Sequence, residues 1–222
     1  MTVKLGLVDS GVAEQQAQYV HSSCGFNVDE MVAIQPDPLG HGTATCDIIR
    51  HHAPAVTLYN AQVFDARGVT TAATVAAAID WLRQEKVDLI NLSLGLGHDR
   101  PVLREACHQA ISAGIILIAS SPAQGNAVYP SAYDGVIRGT GDARCAVGDI
   151  SFLDSKQADF GGCPRAINVP ENQPPRIGGA SMGTAHISGH AAAYLLAGGD
   201  REHVREWLVS QAKYLHSERR ME

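Results

Sequence analysis

Charge is scarce in this 222-residue chain, with only 18% Asp, Glu, Lys and Arg, and neither sign gathers into a block. The formal charge of −6 comes with no basic stripe, which excludes nucleic acid as an expected partner. Apolar runs stop short of the 18 or so residues that a membrane-spanning helix needs, so no membrane insertion is expected. The N-terminus lacks a basic stretch followed by an apolar core and a cleavage site, so no signal peptide is read there. Cysteines number five (Cys24, Cys46, Cys107, Cys145, Cys163) and form no CxxC pair. That odd, scattered set fits reduced thiols in cytosol, with a Cys145 to Cys163 bridge as the lesser alternative. Among ten histidines only His51 and His52 adjoin, and neighbours on a helix point about 100° apart, so no structural metal is expected.

What is present is 45% hydrophobic sequence, enough for one substantial core and a single domain over residues 1 to 222. Its order is regular. An apolar strand over residues 3 to 8 precedes a helix near 42 to 52, with Ile48 and Ile49 inside and Pro54 beyond its end. A strand near 56 to 63, a helix near 71 to 85 with Val75, Ile79 and Leu82 at helical spacing, and a strand from 87 to 92 follow. Pro101 opens a helix that stops at Gly114, and residues 115 to 119 form a short apolar run typical of a strand buried on both faces. Such alternation predicts an α/β fold, doubly wound, with a mainly parallel sheet and helices on both faces. From about 120 to 178 the pattern weakens, with residues 136 to 138 strand-like and Pro164, Pro170, Pro174 and Pro175 marking loop. A helix runs from Ser181 to about Ala197, and Asp200 caps a last one with Val204, Leu208 and Leu215 as its inner stripe.

Three segments carry chemistry. Asp9 ends the first strand in Val8-Asp9-Ser10-Gly11, His41 opens a helix in Gly40-His41-Gly42-Thr43, and Ser181 stands in Gly178-Gly179-Ala180-Ser181-Met182-Gly183-Thr184. Each has a plainer reading: an Asp turn, a loop entering a helix, and small residues chosen for close helix packing. Two of the three fall at strand ends or helix starts, where open parallel sheets place active sites, and that coincidence favours chemistry. A serine hydroxyl must lose its proton as it attacks a carbonyl, and a neutral imidazole oriented by a buried carboxylate can take it. Ser181, His41 and Asp9 fill those roles, and the positive helix N-terminus is expected to help keep His41 neutral.

In the order Asp, His, Ser and in these local motifs, residues 3 to 197 resemble the subtilisin-like serine proteases. The resemblance implies an Asp9-His41-Ser181 triad, no cofactor, and a peptide or protein precursor as substrate. It makes Ser93, Leu94 and Gly95 substrate-binding, because Asn91-Leu92-Ser93-Leu94-Gly95 is similar to the segment that pairs with extended peptide in that family. The oxyanion donor is less direct. The family's Ala-Gly-Asn stretch is replaced by Ser120-Ser121-Pro122-Ala123-Gln124-Gly125-Asn126, which leaves Asn126 as donor, Gln124 as the second choice, or Ala123 and hence no side-chain donor. Ala185 stands where the family usually has Pro, a tolerable change in a first helical turn. With Asp9 so near Met1, neither a secretion signal nor a folding propeptide is expected, which predicts a cytoplasmic enzyme. The chain further resembles small cytoplasmic subtilases that trim a leader from a modified peptide. A broad intracellular protease and a peptide-binding homologue without catalysis are the alternatives.

Overall fold

A computed structural model describes residues 2–27, 30–168 and 178–217. Strand β1 (Lys4–Asp9) lies at the centre of the molecule because its residues are apolar toward both sides. Leu5 and Leu7 enter the core on one face of the sheet, while Val8 enters the core on the other. Gly6 leaves room for Leu82, whose Cδ1 would stand 2.6 Å from a Cβ at that position.

After β1 come a short helix α1 (Glu14–Ala17) and strands β2 (Val20–Phe26) and β3 (Met31–Val32). Helix α2 (His41–His52) leads to β4 (Thr57–Gln62), α3 (Ala72–Gln84) and β5 (Leu89–Leu92). Then follow α4 (Pro101–Ser112), β6 (Ile116–Ser120), β7 (Ile137–Gly141), β8 (Ser151–Phe152) and β9 (Phe160–Gly162). The chain ends on α5 (Ala180–Leu196), a 3₁₀ turn (Arg201–His203), α6 (Val204–Ser210) and β10 (Tyr214–Leu215). Among the described residues, the ten strands form one sheet in the order β10-β8-β9-β7-β6-β5-β1-β4-β2-β3. Its pairings are parallel except β2 with β3 and β8 with β9. The expected doubly wound α/β fold is therefore correct.

Helices α2, α5 and α6 bury their apolar residues against one face, and α3 and α4 cover the other. Val75, Ile79 and Leu82 are fully buried on α3, and Thr71 caps that helix by accepting from the Thr74 amide. Pro101 begins α4, and Gly114, at φ +80°, follows its C-cap Ala113. Each expected element between residues 3 and 119 is present, with ends moved by one or two residues.

Residues 120 to 168 hold short strands, as expected: β7 takes up the strand-like residues near 137, and β8 and β9 follow it in the sheet. Helix α1 and strands β2 and β3, between β1 and α2, were not expected. Two corrections concern the C-terminal elements. Leu215 is not part of a helical stripe. It lies on β10 and is 61% exposed, since α6 stops at Ser210, while Val204 and Leu208 are buried as expected. Asp200 caps the 3₁₀ turn rather than α6, accepting from the Glu202 amide. Pro170, Pro174 and Pro175 fall outside the described residues.

Candidate active site

Parallel strands present their C-terminal ends on one edge of the sheet, and the three chemical segments meet along that edge. Val8 of β1 stands beside Leu92 of β5, the last pair of that register, so Asp9 and Ser93 each follow directly on the same pair. Asp9 is fully buried. Its Oδ1 accepts from the Ser10 amide at 2.7 Å and from His41 Nδ1 at 2.6 Å, and its Oδ2 accepts from Thr45 Oγ1 at 3.2 Å. A buried carboxylate satisfied by three donors is fixed in place, and the short bond to Nδ1 orients the ring with Nε2 as its free nitrogen.

His41 is the first residue of α2. The turn is tight: a Cβ on Gly42 would lie 2.1 Å from the Gly11 carbonyl oxygen and 3.1 Å from Asp9 Cβ, so only glycine lets α2 approach β1 this closely. The imidazole has one quarter of its side-chain surface exposed. Burial pulls its pKa down, but the Asp9 hydrogen bond, the Asp9 charge and the Asp37 charge together outweigh burial and raise it above the ordinary histidine value. Two carboxylates thus act on His41 in the sense opposite to the help expected from the helix start.

Ser181 is the second residue of α5, whose start is pressed against β7. A Cβ at Gly183 would fall 1.9 Å from the Thr140 carbonyl oxygen, which explains a glycine two positions after the serine. Ser181 Oγ donates to the Ser93 carbonyl oxygen at 3.2 Å and not to His41. The hydroxyl therefore rests on the backbone of the segment that follows β5.

Ser93 and Leu94 are buried and Gly95 is exposed, where the chain leaves the sheet after Leu92. Ser93 is held from beneath by a polar chain invisible to motif reading. Ser188 Oγ on α5 donates to Asn91 Oδ1 at 2.8 Å, and Asn91 Nδ2 donates to Ser93 Oγ at 2.8 Å. One residue further on, Leu96 exchanges backbone hydrogen bonds with Tyr129.

The tentative oxyanion donors separate. Asn126 is exposed and lines a cavity of about 180 Å³ with Ser121, Lys156 and Gln157, whereas Gln124 and Ala123 line a different one with Thr140 to Arg144. No hydrogen bond joins Asn126 to Ser181 in this state. Asp37, absent from the sequence-level site, accepts hydrogen bonds from Ser10, Leu39, Gly40 and Thr43. An acidic residue four positions before a histidine that opens a helix was the available signal. Among the described residues no group of three or more His, Cys, Asp or Glu side chains is arranged to hold a metal ion, and no helix is long and apolar enough to cross a membrane.

A paired carboxylate and imidazole beside a helix-borne hydroxyl suit nucleophilic acyl transfer. Comparison with known proteins agrees with that chemistry. Subtilisin DY of Bacillus licheniformis is 28% identical over 220 residues, spanning 87% of this chain and 76% of that protein. A cold-adapted subtilisin-like serine proteinase superposes with a TM-score of 0.71 at 23% identity, over 95% of this chain and 84% of the other. A lanthipeptide protease gives 0.67 at 20% identity, over 92% and 78%. The family model described as "Subtilase family" matches residues 2–221. The chain belongs to the subtilase family and is a subtilisin-like serine endopeptidase.

Proposed function

We propose that the protein cleaves a leader segment from a specific, modified peptide or protein precursor in the cytoplasm, through Ser181, His41 and Asp9. The observation that carries the catalytic assignment is the 2.6 Å bond between Asp9 and His41 at the strand edge where Ser181 rests against Ser93. In this reading the Ser181 hydroxyl turns from the Ser93 carbonyl to His41 Nε2 as substrate arrives. Nε2 takes the hydroxyl proton while Oγ bonds to the scissile carbonyl carbon, and Asp9 stabilises the resulting imidazolium. His41 then gives that proton to the departing amine, leaving an acyl-serine and a free N-terminus. Water, deprotonated by His41, attacks the ester, and the proton returns to Ser181. The Ser181 amide and Asn126 stabilise the oxyanion, and Ser93, Leu94 and Gly95 bind the substrate backbone as an added strand. No cofactor or metal enters these steps.

The leader-removing role is supported by the replaced Ala-Gly-Asn stretch, which suits a slow, dedicated enzyme better than a digestive one. A lanthipeptide protease shares the fold, in keeping with a modified-peptide substrate. The narrowest form of the proposal is the protease that matures the small subunit of quinohemoprotein amine dehydrogenase. All five cysteines are free and buried, which suits a reducing compartment.

Fluorophosphonate labelling followed by mass spectrometry of a precursor tests both levels. The expected result is a label on Ser181, lost in Ser181→Ala, with a single cut between leader and core and with casein left intact. A label that persists in Ser181→Ala would make the protein a peptide-binding homologue. General digestion of casein would make it a broad intracellular protease instead.

A further inference from the structure

Helix α2 begins without the usual help. Its N-cap is Gly40, at φ +70°, and no side chain caps the helix from that position. The first N–H groups of a helix have no partner within it, so they need an acceptor from elsewhere. Asp37 supplies it. Its Oδ2 accepts from the Thr43 amide at 2.9 Å and from Thr43 Oγ1 at 2.6 Å. Its Oδ1 accepts from the Leu39 amide at 3.0 Å, the Gly40 amide at 2.9 Å and Ser10 Oγ at 2.8 Å. Ser10 in turn accepts from the Gly42 amide at 3.0 Å, and Thr43 Oγ1 accepts from the Ala13 amide at 2.9 Å.

The pattern is selective. Every bond that Asp37 accepts comes from a residue within two positions of His41 or from Ser10, directly after Asp9. Gly40, Gly42 and Thr43 flank the imidazole, while Ser10 follows the carboxylate that orients it and donates its own amide to Asp9. Loop stability alone does not require one carboxylate to tie both partners of the pair together. The charges acting on His41 are Asp9 from the end of β1 and Asp37 from the loop before α2.

We propose that Asp37 is a positioning residue for peptide hydrolysis, whose carboxylate pins the end of β1 to the first turn of α2 and so holds His41 against Asp9. The inference rests on the catalytic roles given above to His41 and Ser181. Asp37 touches neither substrate nor reacting atoms in this scheme. It acts by geometry, since misplacement by about 1 Å can cost a hundredfold in rate, and by adding a second anion near the imidazolium that forms during attack.

Asp37→Asn tests this with little change in shape. Its amide oxygen can still accept from Leu39, Gly40 and Ser10, but its NH₂ group cannot accept from Thr43. Phosphonylation of Ser181 by a fluorophosphonate probe, with Oγ bonding to phosphorus as fluoride leaves, should slow by about tenfold to a hundredfold, with half-saturation unchanged. The acid limb of the rate profile should move to lower pH, because removing an anion makes the imidazolium easier to deprotonate. NMR titration of the His41 ring in a Ser181→Ala background should show the same downward shift without any need for activity. Thr43→Val should reproduce the rate loss and Thr43→Ser should not. An unchanged rate and titration in folded Asp37→Asn would overturn the proposal, as would a loss confined to half-saturation. Should Asp37→Asn fail to fold, the Thr43→Val and Thr43→Ser pair decides, and equal rates in the two would overturn it. If wild type itself resists the probe, the catalytic reading fails and the His41 titration still decides for or against Asp37.

Discussion

At the scale of single residues, the site is a set of short hydrogen bonds converging on Asp9. Its carboxylate is buried and meets His41 Nδ1, Thr45 Oγ1 and the Ser10 amide. Asp9→Asn would keep the shape but present an amide that no longer requires a proton on Nδ1, so the ring can place its proton on Nε2, where the serine must deliver one. We expect kcat to fall by about 10⁴-fold with KM nearly unchanged, measured by steady-state hydrolysis of a peptide ester. Asp9, His41 and Ser181 could be read from the sequence because their neighbours are constrained too: Gly42 and Gly183 stand where a Cβ would strike backbone oxygen. The Ser188-Asn91-Ser93 chain could not, since it joins residues nearly a hundred positions apart and leaves no local spacing, whereas Asp37 left only its place four residues before His41. Asn126 remained one choice of three because loop length, not periodicity, sets its register.

At the scale of elements, the pairing of α2 with α5 matters most, for these helices carry His41 and Ser181 at their starts. The far end of α2 meets the middle of α5 through histidines. His52 Nε2 lies 2.7 Å from His186 Nδ1, and the His52 and His190 rings are 4.2 Å apart and tilted by 34°. Gly189 makes the room, as a Cβ there would sit 3.0 Å from His52 Cβ. Burial first, then the neighbouring histidines, push His52 down to about 3 and His186 down to about 4, and burial also lowers His190 despite nearby Asp149. All three are therefore neutral in the folded protein at pH 7, while an unfolded chain takes up their protons below about pH 6.5. Because the folded pKa values are depressed, their contribution to stability is complete above about pH 6.5 and is lost as pH falls toward 3. Melting temperature should drop over that window. The drop should be shallower in His52→Gln, followed by circular dichroism from pH 7 to pH 4. The sequence reading noticed His51 and His52 but weighed them only as metal ligands. Their partners are far along the chain, and nothing in the local spacing announced them.

For the molecule as a whole, the alternation of strands and helices from residue 3 to residue 119 was enough to predict the sheet and its two helical layers. The apolar strands β1, β5 and β6 are buried on both faces and read as unbroken runs. What escaped was both edges of the sheet: β2 and β3 on one side, and on the other β8, β9 and β10, which have only two or three residues each. The latter edge is held by charge as well as packing: buried Asp159 accepts from Arg138 at 2.6 Å and from Arg205 of α6 at 2.8 Å, which brings its pKa down to about 2. The same close packing buries all five thiols, and burial drives Cys46 and Cys107 up to about 12. A thiol-specific colorimetric reagent should find almost no reactive cysteine in the native protein at pH 7.5 and all five after unfolding in guanidinium. Rapid native labelling of several thiols would mean the core is more open than described.

The central strand supplies Asp9 almost as soon as the chain begins, yet Ser181 arrives only on α5, after nearly every other strand of the sheet. On the proposed assignment of Ser181, the growing polypeptide therefore gains its nucleophile only when its last long helix has been made.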